Sequence, residues 1–170
     1  EKKPEEPVDT STNPEPESEP ELDDIDAIVG SWELTNLTYS YGGDSVSNDY
    51  PLSSENLIED YGVVVSQSAL RRIFFTIEAA GGFEIAEYSS YTSFFSIEEE
   101  TIASYSYSGG YVTAVGTASG APNSYTITLE GEDFLDCSLT ENDDLLCSAS
   151  VEGETLDIAL SRIDELPNME

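Results

Sequence analysis

Phe134-Leu135-Asp136-Cys137-Ser138-Leu139-Thr140, then Glu141-Asn142-Asp143, then Asp144-Leu145-Leu146-Cys147-Ser148-Ala149: the fold is decided in these sixteen residues. Two alternating runs flank three residues that suit a tight connection. If partners pair so that their numbers sum to 284, Cys137 faces Cys147, Leu139 faces Leu145 and Leu135 faces Ala149, all on one side. The other side then pairs Asp136 with Ser148 and Ser138 with Leu146. Directly opposed strand residues bring their Cβ atoms within disulfide reach. Alternation, register and cysteine placement therefore agree on an antiparallel hairpin bridged by Cys137 and Cys147.

The same beat runs outward from this hairpin. Gly109, Gly120, Gly131, Asn142 and Gly153 recur every eleven residues, and both residue types tolerate the positive φ that tight turns demand. Between them lie strand-like runs at 111–118, 124–130, 134–140, 144–151 and 155–163. That spacing predicts an antiparallel up-and-down sheet, because helical crossovers need longer connections. Upstream, 31–41 alternates around Trp32, Leu34, Leu37 and Tyr39 as a long strand, and Gly42-Gly43 opens a polar loop. Residues 53–61 read as a short helix with Ser53 or Ser54 as N-cap and Gly62 after its end. Runs at 71–78 and 83–90 flank Ala79-Ala80-Gly81-Gly82 as a hairpin of undefined register, and 101–107 adds a strand. The expectation is an all-β, antiparallel up-and-down barrel of eight to ten strands; a β-sandwich is the alternative.

Charge divides the chain into a tail and a body. The net charge is −31, of which residues 1–26 carry −9. Residues 1–24 alternate Pro with Glu, Ser and Thr and contain only Val8 and Leu22 as large apolar groups. Such a segment buries too little apolar area to offset its backbone entropy, so a disordered acidic tether is expected. The barrel domain is expected over 25–164, with 165–170 as a C-terminal tail. The body's only bases are Arg71, Arg72 and Arg162. That much negative charge repels nucleic acid and anionic lipid surfaces. A matched cysteine pair behind an exported-looking tail points to an oxidising, extracytoplasmic compartment. The chain starts at Glu1, which suggests a removed export segment.

Asp24-Ile25-Asp26-Ala27-Ile28-Val29 followed by Gly30-Ser31-Trp32 resembles the entry motif of the lipocalin family. That resemblance implies a short 3₁₀ turn leading into the first strand, with Trp32 closing one end of a barrel. It also implies an Arg from the last strand across the indole, a position Arg162 matches. Gly30, Trp32 and Arg162 are thus structural candidates. The tail resembles the spacer of bacterial lipocalin-like lipoproteins, which implies membrane tethering only through an N-terminal lipid anchor. The family's Thr-Asp-Tyr motif is absent from the later loop where it is expected; Asn48-Asp49-Tyr50 comes too early.

Catalysis is not expected. With no His, imidazole bases and triads are excluded, and with no Lys beyond Lys3 the body has no Schiff-base or phosphate-loop lysine. Acidic turns at 132–136 and 141–144 lack the spacing of a calcium loop, and no cofactor or metal is expected. Aromatics are the better lead: Tyr88, Tyr91, Phe94, Phe95, Tyr105, Tyr107 and Tyr111 cluster within two dozen residues. Tyrosine offers an apolar face and a polar tip. Arg71 and Arg72 point to opposite faces of a strand, so one of them can face inward toward a ligand carboxylate. Candidate ligand-binding residues are therefore Arg71, Arg72, Tyr88, Tyr105 and Tyr107. The expected function is a monomeric, tethered barrel holding a small apolar or amphipathic ligand in its interior. The alternative is a cell-surface structural or interaction module with a filled core.

Overall fold

The computed structural model describes residues 24–60, 62–97, 99–130 and 132–167. Nearly all of the tether, Tyr61, Glu98 and the expected turn at Gly131 lie outside them. A 3₁₀ turn at Asp26–Ile28 precedes ten antiparallel strands. These are β1 (Gly30–Tyr41), β2 (Asp44–Asp49), β3 (Leu52–Asp60), β4 (Val63–Ile77) and β5 (Gly82–Ile97). Then come β6 (Glu100–Ala121), β7 (Ser124–Leu129), β8 (Glu132–Leu139), β9 (Asp144–Val151) and β10 (Glu154–Ile163). One sheet runs in the order β2-β1-β10-β9-β8-β7-β6-β5-β4-β3, and an extra pairing of β1 with β4 closes eight of the strands into a ring. The all-β, up-and-down barrel is what the alternation and turn spacing predict.

Closure is confined to one end. β1 meets β4 only where Gly30–Glu33 pairs with Phe74–Ile77. Inside that end Trp32, Leu34, Ile77, Phe83, Tyr125, Ile127, Leu135, Leu145 and Leu160 are essentially inaccessible to solvent. Large side chains therefore fill the closed half, and the Cys137–Cys147 disulfide lies among them in the predicted register. Burial of this set is the principal stabilising term, at roughly 1.5–3 kcal/mol per large side chain.

Several sequence expectations are corrected. Residues 52–60 form a strand, not a helix: they pair residue by residue with Val63–Arg71 of β4, and the pairing outweighs local N-cap signals. The runs at 101–107 and 111–118 are one strand of twenty-two residues; Gly109 turns nothing, and Gly120 pairs with Tyr125 inside the strand, the turn following at residues 122–123. Gly109 and Gly110 pair with Ser89 and Tyr88 of β5. The Tyr107 ring lies against Gly109, where a Cβ would stand 3.1 Å from the Tyr107 hydroxyl. Glycine here admits close approach and does not make a bend. The hairpin at 79–82 has a regular register throughout, from Ile77 with Phe83 out to Val63 with Ile97. Gly42-Gly43 makes a tight turn into β2, a strand the composition does not announce.

The length of β4, β5 and β6 produces the second part of the molecule. β7 pairs only with Gly116–Ala121, so residues 100–115 of β6 rise past the barrel rim, roughly 50 Å of chain at about 3.4 Å per residue. β3, β4 and β5 rise beside them. An arm of four strands, β3-β4-β5-β6, thus projects from the mouth of a closed, filled base.

Candidate functional site: the mouth and the inner face of the arm

At the closed end the residues singled out by their entry-motif positions form one cluster. Arg162 lies across the Trp32 indole with its guanidinium carbon 4.2 Å from the ring centroid. It donates to the carbonyl oxygens of Val29 (2.8 Å) and Ala27 (2.7 Å) and pairs with Asp143. The Trp32 indole N–H donates to the Ile28 carbonyl at 2.9 Å. Gly30 has φ +137°, a conformation that favours glycine, and a Cβ there would stand 2.8 Å from the Arg162 guanidinium and press it off its place. This cluster seals the barrel and offers no open surface for a ligand.

The two central arginines lie on opposite sides of β4, as strand alternation demands. Arg72 is on the outer side, where it donates two bonds of 2.6 Å to the Glu33 carboxylate and covers the Phe74 ring at 4.9 Å. Because Glu33 pairs with Phe74 across the barrel seam, this fork clamps β1 to β4 where the ring closes. Arg71 is on the inner side at the mouth and pairs with Glu87 at 2.6 Å. In each case the hydrogen bond to the carboxylate is the largest influence, holding the guanidinium pKa above its ordinary value against a smaller opposing effect of burial. At the other side of the mouth Tyr39 has its phenol pKa raised, first by a hydrogen bond with Glu154, then by burial and the Glu154 charge.

The inner face of the arm continues upward from Arg71. Paired residues share a face, so the register places Val63, Val65 and Ala69 of β4 beside Tyr91, Phe95 and Ile97 of β5. The next strand adds Tyr105, Tyr107 and Tyr111. These three tyrosines are each more than half exposed, and Phe95 and Ile97 are exposed as well. Tyr91 and Tyr105 lie ring to ring at 6.1 Å. A recess of about 350 Å³ sits at the foot of this face, lined by Leu52, Ala69, Arg71, Ser89, Tyr91 and Tyr107 among others. The outer face is mainly Ser and Thr, including Ser66, Ser68, Thr92, Ser104, Ser106 and Ser108, with Leu57, Phe94, Val112 and Val115 the exposed apolar exceptions.

Of the candidate ligand residues, Arg71 and Tyr107 line the same recess, and Tyr105 stands above it on the same face. Tyr88 pairs with Arg72 on the outer side and does not join them. Leu52 and Ala69 were not singled out from sequence, nor was Glu87. The signal that points to their region is negative: residues 61–70, 88–97 and 101–129 contain no charged side chain in a chain that is 24% charged. A second recess, of about 390 Å³, lies on the outer barrel wall among Asp136, Ser138, Ser148 and Asp157. It is bordered by two carboxylates and no cation, which makes it the poorer site for an apolar ligand. Among the described residues no group of three or more His, Cys, Asp or Glu is placed to hold a metal ion. No family model, curated protein or solved structure matches the chain.

Proposed function

We propose that this protein is a non-catalytic binding module of the extracytoplasmic space whose ligand is a small apolar or amphipathic molecule taken on the inner face of the arm. The observation that carries this reading is the aromatic inner face, whose β4, β5 and β6 residues between the Arg71–Glu87 pair and the tip are uncharged, with its 350 Å³ recess, in a chain of net charge −31. Sites for such ligands are concave, mainly apolar, and supplied with a few polar groups that fix orientation. Here Arg71, half exposed and already paired with Glu87, is the polar group at the foot of the recess. The filled interior of the closed half argues against the barrel core as the site. A sequence without His, and without Lys past Lys3, supports binding without chemistry. A buried disulfide and the acidic, proline-rich tether sequence support a lipoprotein-like setting outside the cytoplasm.

Native mass spectrometry of the purified protein, followed by titration with long-chain fatty acids and an anilinonaphthalene dye, tests the reading. Binding that Tyr91→Ser/Tyr107→Ser abolishes, with the fold intact by circular dichroism, supports it. Binding unchanged in that variant, or absent in the wild type across the panel, overturns it.

A further inference from the structure

Among the described residues the ten-stranded sheet leaves three open edges, and they are not alike. β2 carries Asp44 and Asp49 at its ends, and β3 carries Glu55, Glu59 and Asp60. Acids on an edge strand deter another strand from pairing there. The third edge is the part of β6 above β7. Among the described residues no strand pairs with its free side over residues 100–115. From Thr101 to Val115 it contains no charge and no proline. In a chain with 36 acids this edge has the longest uncharged run of the three, with acids only at its tip, Glu99 and Glu100.

We infer that the free edge of β6 pairs with the β6 edge of a second copy of this chain, antiparallel about a two-fold axis normal to the sheet. This goes beyond the proposed ligand site but rests on the same reading, that the arm is the part of the molecule that makes contacts. Three features select a second copy as the occupant. It supplies an uncharged open edge of matching length, so one isologous contact covers two exposed edges at once. Antiparallel pairing sends the two acidic barrels to opposite ends and brings the uncharged segments together. Both bulges on β6 flank the pairing stretch: the register with β5 shifts between Phe95 and Ser96 and again between Ile85 and Ala86. Bulges terminate regular pairing, which leaves Ala103–Val112 as the straight segment.

Face matching restricts the register. A two-fold axis normal to the sheet keeps inner residues with inner residues, so partner numbers sum to an even value. Centring on Tyr107 or on Ser108 satisfies this and joins the tyrosine faces of both arms into one surface. The contact is small: ten residues of edge, about 34 Å long and about 10 Å thick, cover on the order of 350 Å² per copy. That lies at the weak end of protein interfaces. Glu99 and Glu100 at each tip approach the rim acids Glu130 and Glu132 of the other copy, so screening by salt strengthens the dimer.

Sedimentation velocity of the full chain, from low-micromolar to near-millimolar protein in roughly 1 M salt, where the Debye length is about 3 Å, reads the association directly. The expected result is a monomer–dimer equilibrium whose dissociation constant rises by about tenfold or more in Ser104→Glu/Ser108→Glu. That variant gives β6 the guard β3 carries, at exposed outer-face positions. A wild type that stays monomeric throughout overturns the inference, while dye binding sensitive to Tyr91→Ser/Tyr107→Ser would leave the proposed function standing. A dimer that survives Ser104→Glu/Ser108→Glu but is lost in Tyr91→Ser/Phe95→Ser places the contact on the inner face and also overturns it.

Discussion

The barrel base and the arm are made of the same strands, yet they obey opposite rules. β4, β5 and β6 each pass through both. In the base their inward residues, Ile77, Phe83 and Ala118, are buried among large apolar partners. In the arm the inward residues of the same strands, among them Phe95, Tyr105 and Tyr107, are exposed and no charge intervenes. A sheet face that is apolar on one side is stable only when something covers it. The base covers its own face by closing. The arm cannot close, because β1 leaves β4 after four residue pairs and β7 leaves β6 after six. The contrast teaches that hydrophobic content alone does not locate a core: closure does, and the unclosed part of the same strands is where contacts with other molecules are made.

Substitutions separate the two regions by size of effect. The largest is expected at Trp32→Ala, which empties the centre of the seal; urea denaturation should show a loss of about 3–5 kcal/mol, and a loss below about 1 kcal/mol would mean the closed end is not the core. Next, Cys137→Ala/Cys147→Ala removes the cross-link over a ten-residue separation and should cost about 2–3 kcal/mol by the same measurement. A variant as stable as the wild type would show that the hairpin register is held by packing alone. Arg162→Ala removes the guanidinium from the indole and from two carbonyl oxygens, for about 1–2 kcal/mol, together with a change in Trp32 fluorescence. An unchanged emission spectrum would contradict the stacked geometry. The smallest is expected in the arm: Tyr105→Ser/Tyr107→Ser should alter stability by no more than about 0.5 kcal/mol, since both rings are exposed. A loss as large as that of Trp32→Ala would erase the distinction between base and arm.

The base was legible in the sequence for a physical reason. Its strands are short, each ends in a turn residue, and residues such as Leu135, Cys137, Leu145 and Cys147 alternate cleanly because one side is buried. The Cys pair fixes the register of β8 with β9 without reference to anything distant. The arm was harder to read because nothing about it is local. Gly109-Gly110 has the composition of a turn, and only its pairing with β5 shows that the strand continues. Residues 53–59 carry cap-like serines and acids, and only their pairing with β4 makes them a strand. The tyrosine cluster was visible, but which tyrosines of β6 share a face with Tyr91 and which side of the sheet is the inner one depend on the pairing of β4, β5 and β6, which no single-strand pattern reveals. The clamp of Arg72 on Glu33 escaped for the same reason, since its partners are 39 residues apart and meet only at the seam.

Amide hydrogen exchange of the dilute full chain, resolved by peptide mass spectrometry, tests the division between base and arm most directly. Peptides covering Trp32 and Leu34, Ile127, Leu145 and Leu160 should open only with global unfolding, while those covering 52–60 and 101–112 should exchange far faster, because their backbone bonds sit at open edges over an uncovered face. Protection in the arm equal to that of the base would contradict the account, for it would mean that the apolar face is covered within the single chain and is not available to a partner.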